Sequence, residues 1–266
     1  RNLVIFALLF VCMAIGAQTV FKNEEVEVSL LKEKTWVFST WDYTTMYLIE
    51  GEDKAVLIDT GTRCADLDKI VGQITGKPLE VIVTHMHPDH DKVWMHRADT
   101  VLVPQHAADY QGEFLYMEEG QVFDLGGRKL EVAWMPGHTP GSVVLLDKAN
   151  GDCYSGDAFG SGEVWLQCVP MSPIATFHES CCRMEKLMKE GHIKDIWCGH
   201  YPYLKSSLPL AYIQTMIRIS HRLMNGDQEG SEPYSNYFIK MPPTARKLAE
   251  GRAMIVYDST NIPEAR

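Results

Sequence analysis

The stretch "VIVTHMHPDHDK", Val81 to Lys92, decides how this chain folds. An apolar, β-branched run ends at Thr84, and the seven residues from His85 to Asp91 then carry three histidines and two aspartates. The run reads as a buried strand, so the polar cluster sits where that strand leaves its sheet. Side chains two apart on an extended backbone point the same way, which lets His85 and His87 reach one metal ion. Asp89 and His90, past the bend at Pro88, can face a second. Metal sites are usually closed by four or more donors, so these four need partners elsewhere in the chain.

Three later positions offer them. His138 stands in "PGHTPGS" (136–142), a loop whose glycines and prolines fix a histidine at a strand end. Asp157 stands in "SGDAFG" (155–160), just after the strand "DCYS", and His200 in "WCGHYPY" (197–203), just after "KDIW". Each donor follows a strand end, so all are expected on one rim of the sheets.

Working outward, the runs "VEVSLL", "TWVFST", "MYLIEG" and "AVLIDTG" between Val26 and Gly61 form a meander with polar turns. "CADLDKIVGQIT" from Cys64 has helical spacing and is ended by Gly76 and Pro78. "LEVIVTH" is the strand entering the histidine loop; a helix near Trp94 and the strand "TVLVP" follow. The second half repeats the theme. "GQVFDLGGRKLEVAWMPG" is strand, Gly-Gly turn, strand, and "SVVLLDKANGDCYSGDAF" is a hairpin turning at Asn150 and Gly151. Helices are expected over Thr176–Glu190 and Leu208–Met224, with "KDIWCGH" a strand between them and "RAMIVYD" a last strand. Two β-rich halves with helices after strands predict two packed sheets with helices outside. No linker or low-complexity segment divides 18–266, which we read as one domain.

The segment 1–17 differs. One basic residue precedes an unbroken apolar stretch from Leu3 to Ala17, shorter than the roughly 20 residues of a spanning helix. It reads as a signal peptide, with Ala14, Gly16 or Ala17 offering small residues for cleavage. The expectation is a periplasmic or secreted protein, touching a membrane only if that signal stays uncleaved. Cys12 follows the bulky Phe10 and Val11, which argues against a lipoprotein site. A formal net charge of −10 argues against a nucleic-acid binder, which needs a basic face. Of the seven cysteines, Cys64, Cys153, Cys168, Cys181, Cys182 and Cys198 lie beyond the signal, and no C-x-x-C occurs. They read as buried thiols rather than a zinc knuckle or redox motif, though either of Cys181 and Cys182 can pair elsewhere.

The ordered motifs resemble those of the metallo-β-lactamase-fold hydrolases. The family's H-x-H-x-D-H signature appears as His85, His87, Asp89 and His90, its later motifs as His138, Asp157 and His200, and its first motif as "DTG" at Asp59–Gly61. The resemblance implies an α+β, four-layer αββα sandwich. It also implies one metal on His85, His87 and His138, a second on Asp89, His90 and His200, and Asp157 as bridge, with Asp59 supporting the site through hydrogen bonds. Asp91 and Lys92 depart from the glycine-type residues the family often has there. The remaining histidines, His96, His106, His178, His192 and His221, fall outside the motifs and read as surface or core.

Two divalent ions about 3.5–4 Å apart can share a hydroxide that serves as nucleophile on an ester-type bond: lactone, thioester or phosphodiester. Imidazole and carboxylate donors favour zinc, with iron or manganese also fitting. Asp89 can orient the hydroxide and take its proton, and Tyr201 can donate to a developing oxyanion. A bridging aspartate matches the branches resembling glyoxalase II, lactonases and phosphodiesterases. A β-lactamase, which generally lacks it, is the alternative, as is a metal-binding homologue without turnover. Flavodiiron-type oxidoreductases usually carry an acidic residue where His87 stands. Trp41, Tyr43, Phe159 and Trp165 are candidate walls for a small-molecule substrate, either an acyl chain or a quaternary ammonium group. The second option rests on a Gly160-Ser161 stretch ahead of Trp165 that is similar to one in phosphorylcholine esterases of this fold. Packing in the core is the alternative for these aromatics.

Overall fold

The computed structural model describes residues 18–91, 100–104, 115–167, 171–237 and 240–263. The expected signal at 1–17, the helix near Trp94, Lys92, His96, His106 and Cys168 lie outside them. The first sheet follows chain order: β1 (Gln18–Lys22), β2 (Val26–Lys32), β3 (Thr35–Thr40), β4 (Thr45–Glu50), β5 (Ala55–Ile58), β6 (Leu79–Ile82), β7 (Thr100–Pro104) and β8 (Leu115–Met117). Pairing is antiparallel up to β5 and parallel from β5 to β8. The parallel crossover from β5 to β6 is made by α1 (Leu67–Ile74), and α2 (Pro88–Asp91) is a single turn after β6.

The second sheet has the order β14-β12-β11-β10-β9. Its strands are β9 (Val122–Asp124), β10 (Lys129–Trp134), β11 (Val143–Asp147), β12 (Asp152–Gly156) and β14 (Asp195–Cys198). Between the last two come β13 (Glu163–Trp165) and α3 (Ile174–Lys189). After β14 come α4 (Tyr201–Leu204), α5 (Leu210–Met224), β15 (Glu232–Pro233), β16 (Ala245–Glu250) and β17 (Ala253–Asp258).

Alternation along the strands builds the layers. In β4, Tyr47 and Ile49 enter the core between the two sheets, while Met46 and Leu48 enter the core against α1. In β11, Val143 and Leu145 face the inter-sheet core, and Val144 and Leu146 pack toward α3 and α5. Period-two side-chain direction thus makes each central strand apolar on both faces. Three apolar cores separate four layers, α1, sheet, sheet and α3 with α5, which is the αββα sandwich expected. Each fully buried aliphatic or Phe side chain contributes roughly 1.5–3 kcal/mol.

A third sheet was not foreseen. Its order is β13-β17-β16-β15, and it packs Leu248, Ile255 and Tyr257 into the same core as α3 and α5. The strand "RAMIVYD" is therefore real but belongs to this extra sheet.

Candidate metal centre

The donors stand after strand ends on one rim. Asp59 follows β5, His85 to His90 follow β6, His138 lies between β10 and β11, Asp157 follows β12, and His200 follows β14. The two sheets are tied together at this rim. The Tyr47 hydroxyl donates to the Cys198 carbonyl (2.7 Å), and the Thr45 N–H donates to the Gly199 carbonyl (2.7 Å), fixing the chain just before His200.

The seven residues gather into two groups, His85 with His87 and His138, and Asp89 with His90, Asp157 and His200. Within each group the ligating atoms lie within 4.8 Å of one another. Asp157 touches both: its Oδ2 is 3.1 Å from His200 Nε2 and 3.8 Å from His138 Nε2. Asp89 Oδ2 is 3.6 Å from His200 Nε2 and 3.7 Å from His90 Nε2.

The ring nitrogens pointing away from the centre are held. His90 Nδ1 lies 2.9 Å from Asp59 Oδ2, and His138 Nδ1 lies 2.7 Å from the Trp165 carbonyl. His200 Nδ1 lies 3.2 Å from the Tyr43 carbonyl. The Thr84 hydroxyl donates to Asp59 Oδ2 (3.0 Å), so its lone pair accepts from His85 Nδ1 at 3.1 Å. Hydrogen bonds of this kind fix the tautomer and aim Nε2 at an ion. His87 is the exception, since its Nδ1 faces His138 Nε2 at 2.9 Å.

These residues fit divalent ions. Buried His85 Nε2, His90 Nε2 and Asp157 Oδ1 have no hydrogen-bond partner, although such an atom costs about 1–3 kcal/mol. Metal bonds are what this donor set can use them for. Burial, with His90 next, holds His85 well below the usual imidazole range, so its lone pair is free. Burial also lowers His138. Burial works the same way on His90, but the carboxylates of Asp89, Asp157 and Asp59 outweigh it and raise that imidazole. Buried Asp91, next to the cluster, has its carboxyl pushed up to about 6 by desolvation.

Space at the centre requires glycine. A Cβ at Gly199 would sit 2.4 Å from Asp157 Oδ1 and 2.6 Å from His90 Cε1. Gly156 has φ +47, and a Cβ there would meet the Thr84 hydroxyl at 2.1 Å. Asp59 and Tyr43 hold positive φ (61° and 68°) without being glycine, a conformation that for Tyr43 is sterically strained.

Residues 39–178 match the family described as the metallo-beta-lactamase superfamily. The chain belongs to that superfamily. It is a metal-dependent hydrolase. The acyl-coenzyme A thioesterase MBLAC2 of Homo sapiens is 24% identical over 210 residues, covering 62% of this chain and 75% of that protein. Hydroxyacylglutathione hydrolase of Francisella philomiragia is 22% identical over 188 residues, covering 67% and 73%. Among solved structures, the metallo-beta-lactamase from Pontibacter korlensis aligns with TM-score 0.56 at 17% identity, covering 74% of this chain and 99% of that one. ETHE1 from Myxococcus xanthus aligns with TM-score 0.53 at 21% identity, covering 74% and 90%. Both structures share the fold.

The aromatic residues expected around the centre take different places. The Tyr201 ring packs on Trp197 (6.1 Å), partly buried beside the inter-sheet core. Tyr203 lies against His200, at 6.0 Å, because positions two apart on a helix differ by about 200°. Phe159 is fully buried core rather than a substrate wall. Trp165 adjoins the centre through its carbonyl, while its ring meets Tyr234 at 6.0 Å. Trp41 and Tyr43 are open at the mouth, 57% and 45% exposed. Tyr203, which no sequence motif singled out, stacks on Tyr43 at 5.0 Å.

Proposed function

We propose that the chain hydrolyses a thioester or related activated ester at a two-metal centre, with Asp157 shared between the ions. The observation that carries this reading is the position of the Asp157 carboxylate, within 3.8 Å of ring nitrogens in both donor groups. His85, His87 and His138 would hold one ion, and Asp89, His90 and His200 the other; zinc suits this N/O set, with iron or manganese as alternatives. Two divalent ions held there lower the pKa of water and polarise the scissile bond.

The chain's own residues do the rest. The Asp89 side chain is 38% exposed, so its carboxylate suits taking a proton and passing it to solvent. The Tyr43–Tyr203 stack borders His200, and beyond it a groove of about 570 Å³ runs past Trp41, Tyr43 and Tyr201 to Lys22 and Lys205. We assign the stack to the acyl group or thiol beside the bond, and the groove to the longer arm of the substrate. Relatives whose names specify acyl-coenzyme A and hydroxyacylglutathione support an S-acyl bond over a phosphodiester.

Turnover of an acyl-coenzyme A, an acylglutathione, a lactone, a β-lactam and a phosphodiester on one metal-analysed sample tests the reading. Preference for the two thioesters supports it; preference for the phosphodiester or the β-lactam overturns it. We further propose export directed by 1–17, supported by the apolar run Leu3–Ala17. Among the described residues no helix is long and apolar enough to cross a membrane. N-terminal sequencing of the protein recovered from its native cells tests this, and a chain that retains 1–17 and stays in the cytoplasm contradicts it.

A further inference from the structure

Where α3 packs on α5, three metal-binding side chains that the metal centre does not use come together at the surface. His178 and Cys182 stand one turn apart on α3, and His221 stands on α5. Cys182 Sγ lies 3.6 Å from His178 Nε2. The tautomer of His178 is set from behind. The Ser220 hydroxyl donates to the Met216 carbonyl (2.7 Å), so it accepts from His178 Nδ1 at 2.9 Å. That leaves the Nε2 lone pair facing the thiol, the same support from behind that metal-binding histidines use.

The His178–Cys182 spacing is that of shared ligation. Zn–S and Zn–N bonds of about 2.3 and 2.0 Å at a tetrahedral angle put sulfur and nitrogen about 3.5 Å apart. The His178 and His221 ring centroids are 6.1 Å apart. At the main centre, His90 and His200 of one donor group are 5.5 Å apart. The three ligating atoms do not all lie within 4.8 Å of one another as they stand, so the exposed His221 ring, touched by the Asn225 amide at 3.4 Å, must turn toward His178 and Cys182 to complete the set.

We propose that His178, Cys182 and His221 form a second, separate site for one thiophilic divalent ion of the Zn2+ class, linking α3 to α5. Binding takes the Cys182 thiol as thiolate and releases its proton to solvent. The carboxylates of Glu179 and Glu185 beside Cys182 add attraction for a cation. The site bridges two helices that share one apolar core, so occupancy stabilises the fold rather than serving turnover.

Cobalt is the probe, because a thiolate ligand gives Co2+ a charge-transfer band that nitrogen and oxygen ligands do not. Protein already loaded at its main centre is titrated with Co2+. Among the described residues the main centre offers no sulfur donor, so the band reports the second site alone. We expect one further equivalent with the band, its loss in Cys182→Ser, at least ten-fold weaker binding in His221→Ala, and hydrolysis unchanged in both. No band, or a band that survives Cys182→Ser, overturns the site. A band with unchanged affinity in His221→Ala overturns the link between the helices.

Discussion

Asp59 Oδ2 lies 2.9 Å from His90 Nδ1, joining the end of β5 to the turn that follows β6. The same carboxylate accepts the Thr84 N–H (2.7 Å) and hydroxyl (3.0 Å), and through that hydroxyl it also sets His85. One buried side chain thus orients a histidine in each donor group. Asp59→Asn keeps the size and tolerates the positive φ, but its amide nitrogen cannot accept a hydrogen bond. Metal affinity, measured by competition with a chelator, is expected to fall roughly 10- to 100-fold with an unchanged circular dichroism spectrum. Unchanged affinity would mean Asp59 is a bystander.

Gly199→Ala tests how tightly the centre is packed. The added methyl would press on Asp157 Oδ1 and His90 Cε1, both within 2.6 Å of the new atom. A displacement near 1 Å costs on the order of 100-fold in turnover, and we expect that loss together with reduced metal content. Full activity in a folded Gly199→Ala protein would show that the carboxylate is free to move.

The Tyr43–Tyr203 stack predicts a binding effect rather than a chemical one. Tyr203→Ala removes an exposed ring (54%) beside His200. At about 1 kcal/mol for such a ring contact, KM for a thioester should rise roughly five-fold while kcat changes little. A fall in kcat at constant KM would place Tyr203 in the chemistry instead.

Cysteine reactivity follows from burial. Cys64, Cys153, Cys181 and Cys198 are buried free thiols, whereas Cys182 is exposed. Burial pushes Cys64 up to about 11 and Cys198 to about 12, so at pH 8 both stay protonated and unreactive. Alkylation of the native protein followed by peptide mapping should label Cys182 alone among these five, and all five after unfolding. Native labelling of Cys153 or Cys198 would contradict the second sheet's packing.

The candidate donors were legible in the sequence because metal binding demands particular side chains at particular spacings, as in His85-x-His87-x-Asp89-His90. Their supports were less so. The carbonyls of Tyr43 and Trp165 hold His200 and His138, and any residue carries a carbonyl. The phase of α4 was hidden as well, since one turn of helix has no period to read, so nothing in the sequence pointed to Tyr203. Strand β16 escaped for another reason. Its "ARKLAE" consists of good helix formers, and pairing with β17 overrides that preference. His178 and His221 read as ordinary surface histidines because the seam that joins them forms only when α3 meets α5.

The most direct test of the two-metal centre is metal content and thioester turnover measured together on the wild type and on Asp157→Ala. Sharing of Asp157 between the donor groups predicts about two equivalents per chain in the wild type. The variant should lose at least one of them, with turnover down on the order of 100-fold or more. Retention of both metals and near-normal turnover in Asp157→Ala would contradict the shared carboxylate.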